Sequence, residues 1–168
     1  MIGTDKTDMH RKDRDDGCAE TETRETLQDD LGAAYSYTLT VCDELHDWRI
    51  FDANRRIGYV WCLLCDEEFK LADWKFEREL VVPRKLWARL LGLSPEIRNY
   101  RRRGLGSRLL PLIVEHARKS GARRITGMIS SEDLAEFPAL VSWYGRFGFT
   151  FAPKAPGSAI VGEIELRL

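Results

Sequence analysis

Apolar and polar residues alternate from Tyr35 to Val41, where Tyr35, Tyr37, Leu39 and Val41 are separated by Ser36, Thr38 and Thr40. A period of two places the apolar set on one face of a half-buried strand. Asp43 to Asp47 reads as a connection, and Trp48-Arg49-Ile50-Phe51 opens a second strand. Ala53-Asn54-Arg55 is a tight turn into a third strand, Ile57 to Cys65, whose continuous apolar run predicts a central place in a sheet. Asp66-Glu67-Glu68 then turns the chain into a fourth strand, Phe69 to Val82. Its apolar positions change parity, from Phe69 and Leu71 to Ala72, Trp74 and Phe76. A β-bulge near Ala72 produces that slip, and two separate strands would look the same.

The period then lengthens. Pro83 to Gly92 reads as a short helix, with proline at its start, Leu86, Trp87, Leu90 and Leu91 on one stripe, and glycine after its end. From about Gly104 to Ser120 a longer helix carries Leu105, Leu109, Leu112, Ile113 and Ala117 at three- and four-residue steps. Pro111 falls within its first turns, where a missing N–H costs least. Arg124 to Ile129 is a strand, so strand, helix and strand here imply a right-handed crossover and a parallel pair. Pro138 opens a last helix, Ala139 to about Arg146, that stops at Gly148. Phe149-Thr150-Phe151 begins a sixth strand, and a seventh sets Ile160, Ile164, Leu166 and Leu168 against Glu163, Glu165 and Arg167.

Residues 1–30 lack this periodicity and carry ten Asp/Glu against five Lys/Arg, which predicts a disordered acidic tail. The remainder, 31–168, has 21 Lys/Arg against 17 Asp/Glu and reads as a single domain. That bias is too slight to argue for nucleic acid. The N-terminus has no apolar signal core, and no apolar run approaches a membrane span, so a soluble cytoplasmic protein is expected. Cys18, Cys42, Cys62 and Cys65 do not form the dense pattern of a disulfide framework. Cys62-Leu63-Leu64-Cys65 has the C-x-x-C spacing but no second half-site, and on a strand its two thiols face opposite ways, so no metal is expected.

The chemistry concentrates in Arg101-Arg102-Arg103-Gly104-Leu105-Gly106-Ser107. Two glycines let a ligand approach the backbone closely, and the helix that follows presents unpaired amides and a positive dipole end. An anion, and a pyrophosphate in particular, suits such a loop, with arginines to pair it. Neither the dinucleotide fingerprint nor a P-loop lysine is present. Taken alone, the loop reads equally well as a basic turn capping an amphipathic helix.

A second motif changes that balance. Leu140-Val141-Ser142-Trp143-Tyr144-Gly145-Arg146-Phe147-Gly148-Phe149 follows the loop with one strand between them. Together with the strand order, the two motifs resemble the GNAT acyltransferase superfamily over Tyr35 to Leu168. The resemblance implies an α/β (α+β) fold with a mostly antiparallel sheet of about seven strands, flanked by helices and containing a splayed parallel pair at the coenzyme site. It implies acetyl-CoA as cosubstrate, bound at Arg101, Arg102, Arg103, Gly104, Leu105, Gly106 and Ser107. It also implies a primary amine as acceptor, attacked directly, and Tyr144 as the acid that protonates the departing thiolate. A buried phenol keeps its proton at neutral pH and can serve there, although core packing against Trp143 and Phe147 would also place an aromatic at this position.

Two departures from the family pattern bear on the acceptor side. Asp43 to Asp47 leaves no room for the two helices that usually follow the first strand, and Val81 to Tyr100 is long, its helix near 83–92 standing as an insertion that could cap the cofactor or form a dimer surface. Glu77, Glu79, Asp133, His46 and His116 are the titratable candidates for a base, and the sequence selects none of them. Two other classes remain open: a non-catalytic acyl-CoA-binding module, and a nucleic-acid-binding protein using Arg98, Arg101, Arg102, Arg103 and Arg108.

Overall fold

The computed structural model describes residues 23–77, 80–82, 90, 94, 96–155 and 157–168. Four strands, β1 (Thr23–Gln28), β2 (Ala34–Cys42), β3 (Leu45–Asp52) and β4 (Arg55–Cys65), form an antiparallel meander that continues into β5 (Glu68–Phe76). Successive turns from β2 to β5 open on Asp43, Ala53 and Asp66, each at positive φ. That conformation lets a two-residue turn follow the twist of its flanking strands. Only Asp43 and Glu44 separate β2 from β3, so Leu45 to Asp47, read as connection in the sequence, already lie in the strand.

One face of the meander is apolar in register: Leu39, Trp48, Val60 and Trp74 form one cross-strand row, and Val41, His46, Cys62 and Leu71 the next. On this face lies α1 (Leu105–Lys119), with Leu105, Leu109, Leu110, Ile113 and Ala117 buried. Pro111 is the seventh helical residue, beyond the first turn, and the helix continues through it because its buried stripe runs on both sides. The helix leads to β8 (Arg124–Ser130), which pairs in parallel with β5; β8 in turn pairs antiparallel with β10 (Ile160–Arg167), and β10 with β9 (Thr150–Pro153). The sheet order is β1-β2-β3-β4-β5-β8-β10-β9. A separate ribbon pairs β6 (Leu80–Val82) with β7 (Glu96–Arg98).

Several expectations need correction. The tail read over residues 1–30 ends in strand β1, which the alternation could not reveal because Leu27 is its one buried apolar anchor and main-chain pairing with β2 does the rest. The fourth strand stops at Phe76, and Leu80–Val82 turns into the separate ribbon. A short helix α2 (Ser131–Glu136) precedes α3 (Leu140–Gly145), and it is held by a reciprocal capping box between Ser130 and Asp133. The helix expected near 83–92 lies outside the described residues. Cys62 and Cys65 are free, whereas Cys42 is disulfide-bonded, which the cysteine count did not predict.

Under α1 the core holds a polar pair. His46 Nδ1 and His116 Nε2 are 2.7 Å apart, enclosed by Phe69 and Trp48. Burial lowers both imidazoles, His46 to about 4, with the charge of its His116 neighbour adding to the shift. An unfolded histidine binds its proton near pH 6.5, so below that value the unfolded chain gains protons first. Stability from this pair is complete above about pH 6.5 and is lost as pH falls toward 4. Thermal melts from pH 7 to 5 should show the midpoint falling, and His46→Leu should flatten that slope; an unchanged slope contradicts the role of the pair.

Candidate active site

The bulge inferred from the parity slip is present at Ala72. Trp61 pairs with Asp73 and Cys62 with Leu71, so Ala72 has no partner on β4. The β5–β8 ladder covers only Glu68–Leu71 against Arg124–Gly127. Beyond it β5 pairs with β4 alone and β8 with β10 alone, so the two strands part. The carbonyl of Phe76, on the parted strand, accepts a hydrogen bond from Arg101 Nε at 3.2 Å. The arginine loop is thereby tied to β5.

A cleft of about 490 Å³ lies here between Trp74 and Phe76 of β5, the start of α1, and Phe137, Leu140 and Trp143 around α3. Gly104 is the N-cap of α1 at φ 76°, where a side chain would be strained. Among the described residues no side chain caps this helix and none of its first-turn residues is acidic, so its opening amides keep their demand for an anion. At Gly106 an added Cβ would stand 3.4 Å from Trp143 Cζ2 and 3.6 Å from Trp74 Cζ2, ordinary contact distances, so both indoles lie against this turn of the helix. Trp143 Nε1 donates to Ser107 Oγ at 2.9 Å, which ties α3 to α1 across the cleft. The two indoles meet edge to face, with centroids 5.9 Å apart.

Six of the seven loop residues singled out in the sequence line this cleft: Arg101, Arg102, Gly104, Leu105, Gly106 and Ser107. Arg101 also pairs with Glu136 Oε2 at 2.6 Å, and Arg102 is exposed, with φ at 59°. Arg103 does not line the cleft. Its guanidinium is 2.9 Å from Asp29 Oδ2 and turns toward Tyr35, beside a second cavity of about 460 Å³. Tyr144 is 8% exposed and does not line the cleft either; it packs against its neighbour Trp143 and against Phe149. Burial raises its phenol pKa, the charge of Asp133 adds to that, and among the described residues no hydrogen bond engages its hydroxyl.

Among the base candidates, Asp133 lines the cleft but accepts hydrogen bonds from Ser130. Glu77 is half-buried just past β5, His46 and His116 face each other in the core, and Glu79 lies outside the described residues. The sequence reading missed Asp30, Trp74, Phe76 and Trp143 as cleft residues. The three aromatics looked like core in an apolar pattern, and Asp30 fell in an acidic run without periodicity. Among the described residues no group of three or more His, Cys, Asp or Glu is placed to hold a metal, and no helix is long and apolar enough to cross a membrane.

The loop is held from below by Asp29, whose carboxylate is 0% exposed. Burial alone would raise its pKa, but bonds from Ala33 N–H, Tyr35 Oη and Leu31 N–H, with the Arg103 charge, hold it below the usual carboxylate value. Asp29→Ala would leave these donors and a half-buried guanidinium unmatched, at a cost of about 3 kcal/mol. Urea denaturation of this variant, of Arg103→Ala and of the double variant should give a coupling energy well above zero; additive losses contradict the pairing.

The Acetyltransferase (GNAT) family model matches residues 11–149. No curated protein matches the chain by sequence. Solved structures share the fold. The PaiA N-acetyltransferase of Thermoplasma acidophilum, solved with coenzyme A, superposes with a TM-score of 0.50 at 15% identity over 74% of this chain and 62% of its own. A ribosomal-protein-alanine N-acetyltransferase of Escherichia coli gives 0.53 at 14% identity over 76% and 71%. A GNAT acetyltransferase of Elizabethkingia anophelis with acetyl-CoA bound gives 0.50 at 10% identity over 74% and 77%. The chain thus spans under two thirds of the PaiA chain, and at these identities the likeness is one of fold. With the family model covering the meander, the arginine–glycine loop, α1 and the Trp143–Tyr144 helix, the chain belongs to the GNAT acetyltransferase family.

Proposed function

We propose that this chain is an acyl-CoA-dependent N-acyltransferase that moves an acetyl group from acetyl-CoA to a primary amine. The observation that carries the reading is the parting of β5 from β8 beside a glycine loop that opens an uncapped helix. Arg101, Arg102 and the amides of Gly104 to Ser107 would hold the diphosphate, because a helix start and planar donors suit that group. The residues present fit it: Gly104, at positive φ, starts a helix whose first amides face the cleft beside Arg101 and Arg102, and Trp74, Phe76 and Trp143 offer apolar walls for a pantetheine arm.

The bound thioester supplies a carbonyl activated for attack by an amine nitrogen. A C–N bond forms, the amine nitrogen gives up one proton to water, the C–S bond breaks, and the sulfur leaves as a thiolate that needs a proton. One proton thus passes overall from amine to thiol, and the donor is reprotonated from solvent. We give the role of donor to Tyr144 on its place in the Trp143–Tyr144 motif: burial keeps the phenol protonated and no hydrogen bond engages its hydroxyl among the described residues. Its ring packs against Trp143, which lines the cleft, rather than lining the cleft itself.

One observation favours a second reading, a coenzyme-binding module without transfer activity. The two-residue turn between β2 and β3 leaves the acceptor side without helices at that place. The nucleic-acid reading draws little support from the arginines: of its five, Arg98, Arg101, Arg103 and Arg108 each sit against a carboxylate, of Asp52, Glu136, Asp29 and Asp30, and Arg102 is exposed.

Acetyl-CoA at one hundred times its dissociation constant should stabilise the protein by about 2.7 kcal/mol. Thiol release with a panel of amines should then show turnover, and Tyr144→Phe should lower it about a hundredfold while keeping the coenzyme-induced shift. A shift with no turnover on any amine favours the binding module. No shift at saturating coenzyme contradicts both readings.

A further inference from the structure

We propose that Asp30 sets the affinity of the coenzyme site for phosphate groups, because its carboxylate fills the space over Gly104 that a diphosphate would take. The inference rests on the acyl-CoA reading above. Asp30 lies in the turn between β1 and β2, a part of the chain that carries none of the family motifs. The turn is docked on the arginine loop: Asp30 N–H donates to the Arg103 carbonyl at 3.0 Å, and the preceding Asp29 pairs with the Arg103 guanidinium. Asp30 and Gly104 line the same cleft. A Cβ added to Gly104 would collide with the Asp30 carboxylate, so the side chain occupies the room that the glycine leaves open.

This carboxylate is placed but not locked. Its side chain is 60% exposed, Arg108 Nη2 stands 3.5 Å away, and among the described residues its carboxylate takes part in no hydrogen bond. A negative charge therefore stands at the positive end of a helix without a hydrogen bond to it. An entering diphosphate takes the space beside the α1 amides, competes with Asp30 for Arg108, and repels its carboxylate until it swings toward solvent. The backbone need not follow, because Asp29 anchors the turn from the buried side. A ligand lacking phosphates meets no such repulsion, so Asp30 distinguishes coenzyme A from its pantetheine fragment by charge alone.

Calorimetric titration of coenzyme A and of pantetheine into the wild-type chain, Asp30→Asn and Asp30→Ala tests this. Removing one partly screened charge beside the diphosphate should tighten coenzyme A about tenfold in both variants. The gain should shrink with added salt, and pantetheine should bind all three forms equally. Ligand-free melting of the variants at the wild-type temperature confirms that the turn is intact; if one variant melts early, the other carries the comparison. Coenzyme A bound by all forms with unchanged or weaker affinity in the variants overturns the role of Asp30 and leaves the coenzyme reading standing. Equal tightening for pantetheine overturns the charge basis. Absence of coenzyme A binding in every form overturns both readings.

Discussion

The site depends on one short ladder. β5 and β8 are parallel neighbours for four residues and then separate, because the bulge at Ala72 re-aims the rest of β5. Without the bulge, Trp74 and Phe76, at even positions, would point to the face opposite Phe69 and Leu71. With it, both continue the face that α1 covers, and Trp74 meets Trp143 in front of Gly106. A break in sheet pairing thus creates a cleft in the middle of a packed sheet, with apolar walls already in place.

The arginine–glycine loop is fixed at both ends by charge pairs of different kinds. Arg101 reaches outward, to Glu136 and the Phe76 carbonyl, and joins the loop to β5 and α2. Arg103 reaches inward, to the buried Asp29, and joins it to the hairpin formed by β1 and β2. Arg102 is left exposed between them at a positive φ, on the cleft side. Three consecutive arginines therefore hold three different environments, and a run of like charge is built into a loop that is largely neutralised from below. Removing a partner from a buried pair costs more than the pair contributes, so the hairpin becomes a condition for the loop geometry.

Much of this was legible in the residues, and the failures have physical causes. The slip of parity at Ala72 pointed to a bulge or to two separate strands, since a half-buried strand makes side-chain direction visible in the pattern, and the pairing of β4 with β5 shows the bulge. The glycine spacing and the leucine stripe located α1 within a residue at each end. β1 was hidden because an edge strand takes its stability from main-chain bonds, and Thr23, Arg24, Glu25 and Thr26 carry no alternation. The separate course of Arg103 was hidden for the same reason: its partner, Asp29, lay in a run of acidic residues that looked like solvated tail. α2 was shorter than any periodic signal, and its Ser130–Asp133 capping box was the one available cue.

One question decides the chemistry of this chain: whether coenzyme A binds across the parted strands and the loop together. Hydrogen–deuterium exchange of the full chain, with and without coenzyme A, reads those amides directly. Protection should appear at Gly104 to Ser107 and on Ala72 to Phe76 of β5, with the β2–β3 turn unchanged. Protection confined to other segments, or none at saturating coenzyme, would contradict the claim that the parted sheet and the glycine loop form one coenzyme site.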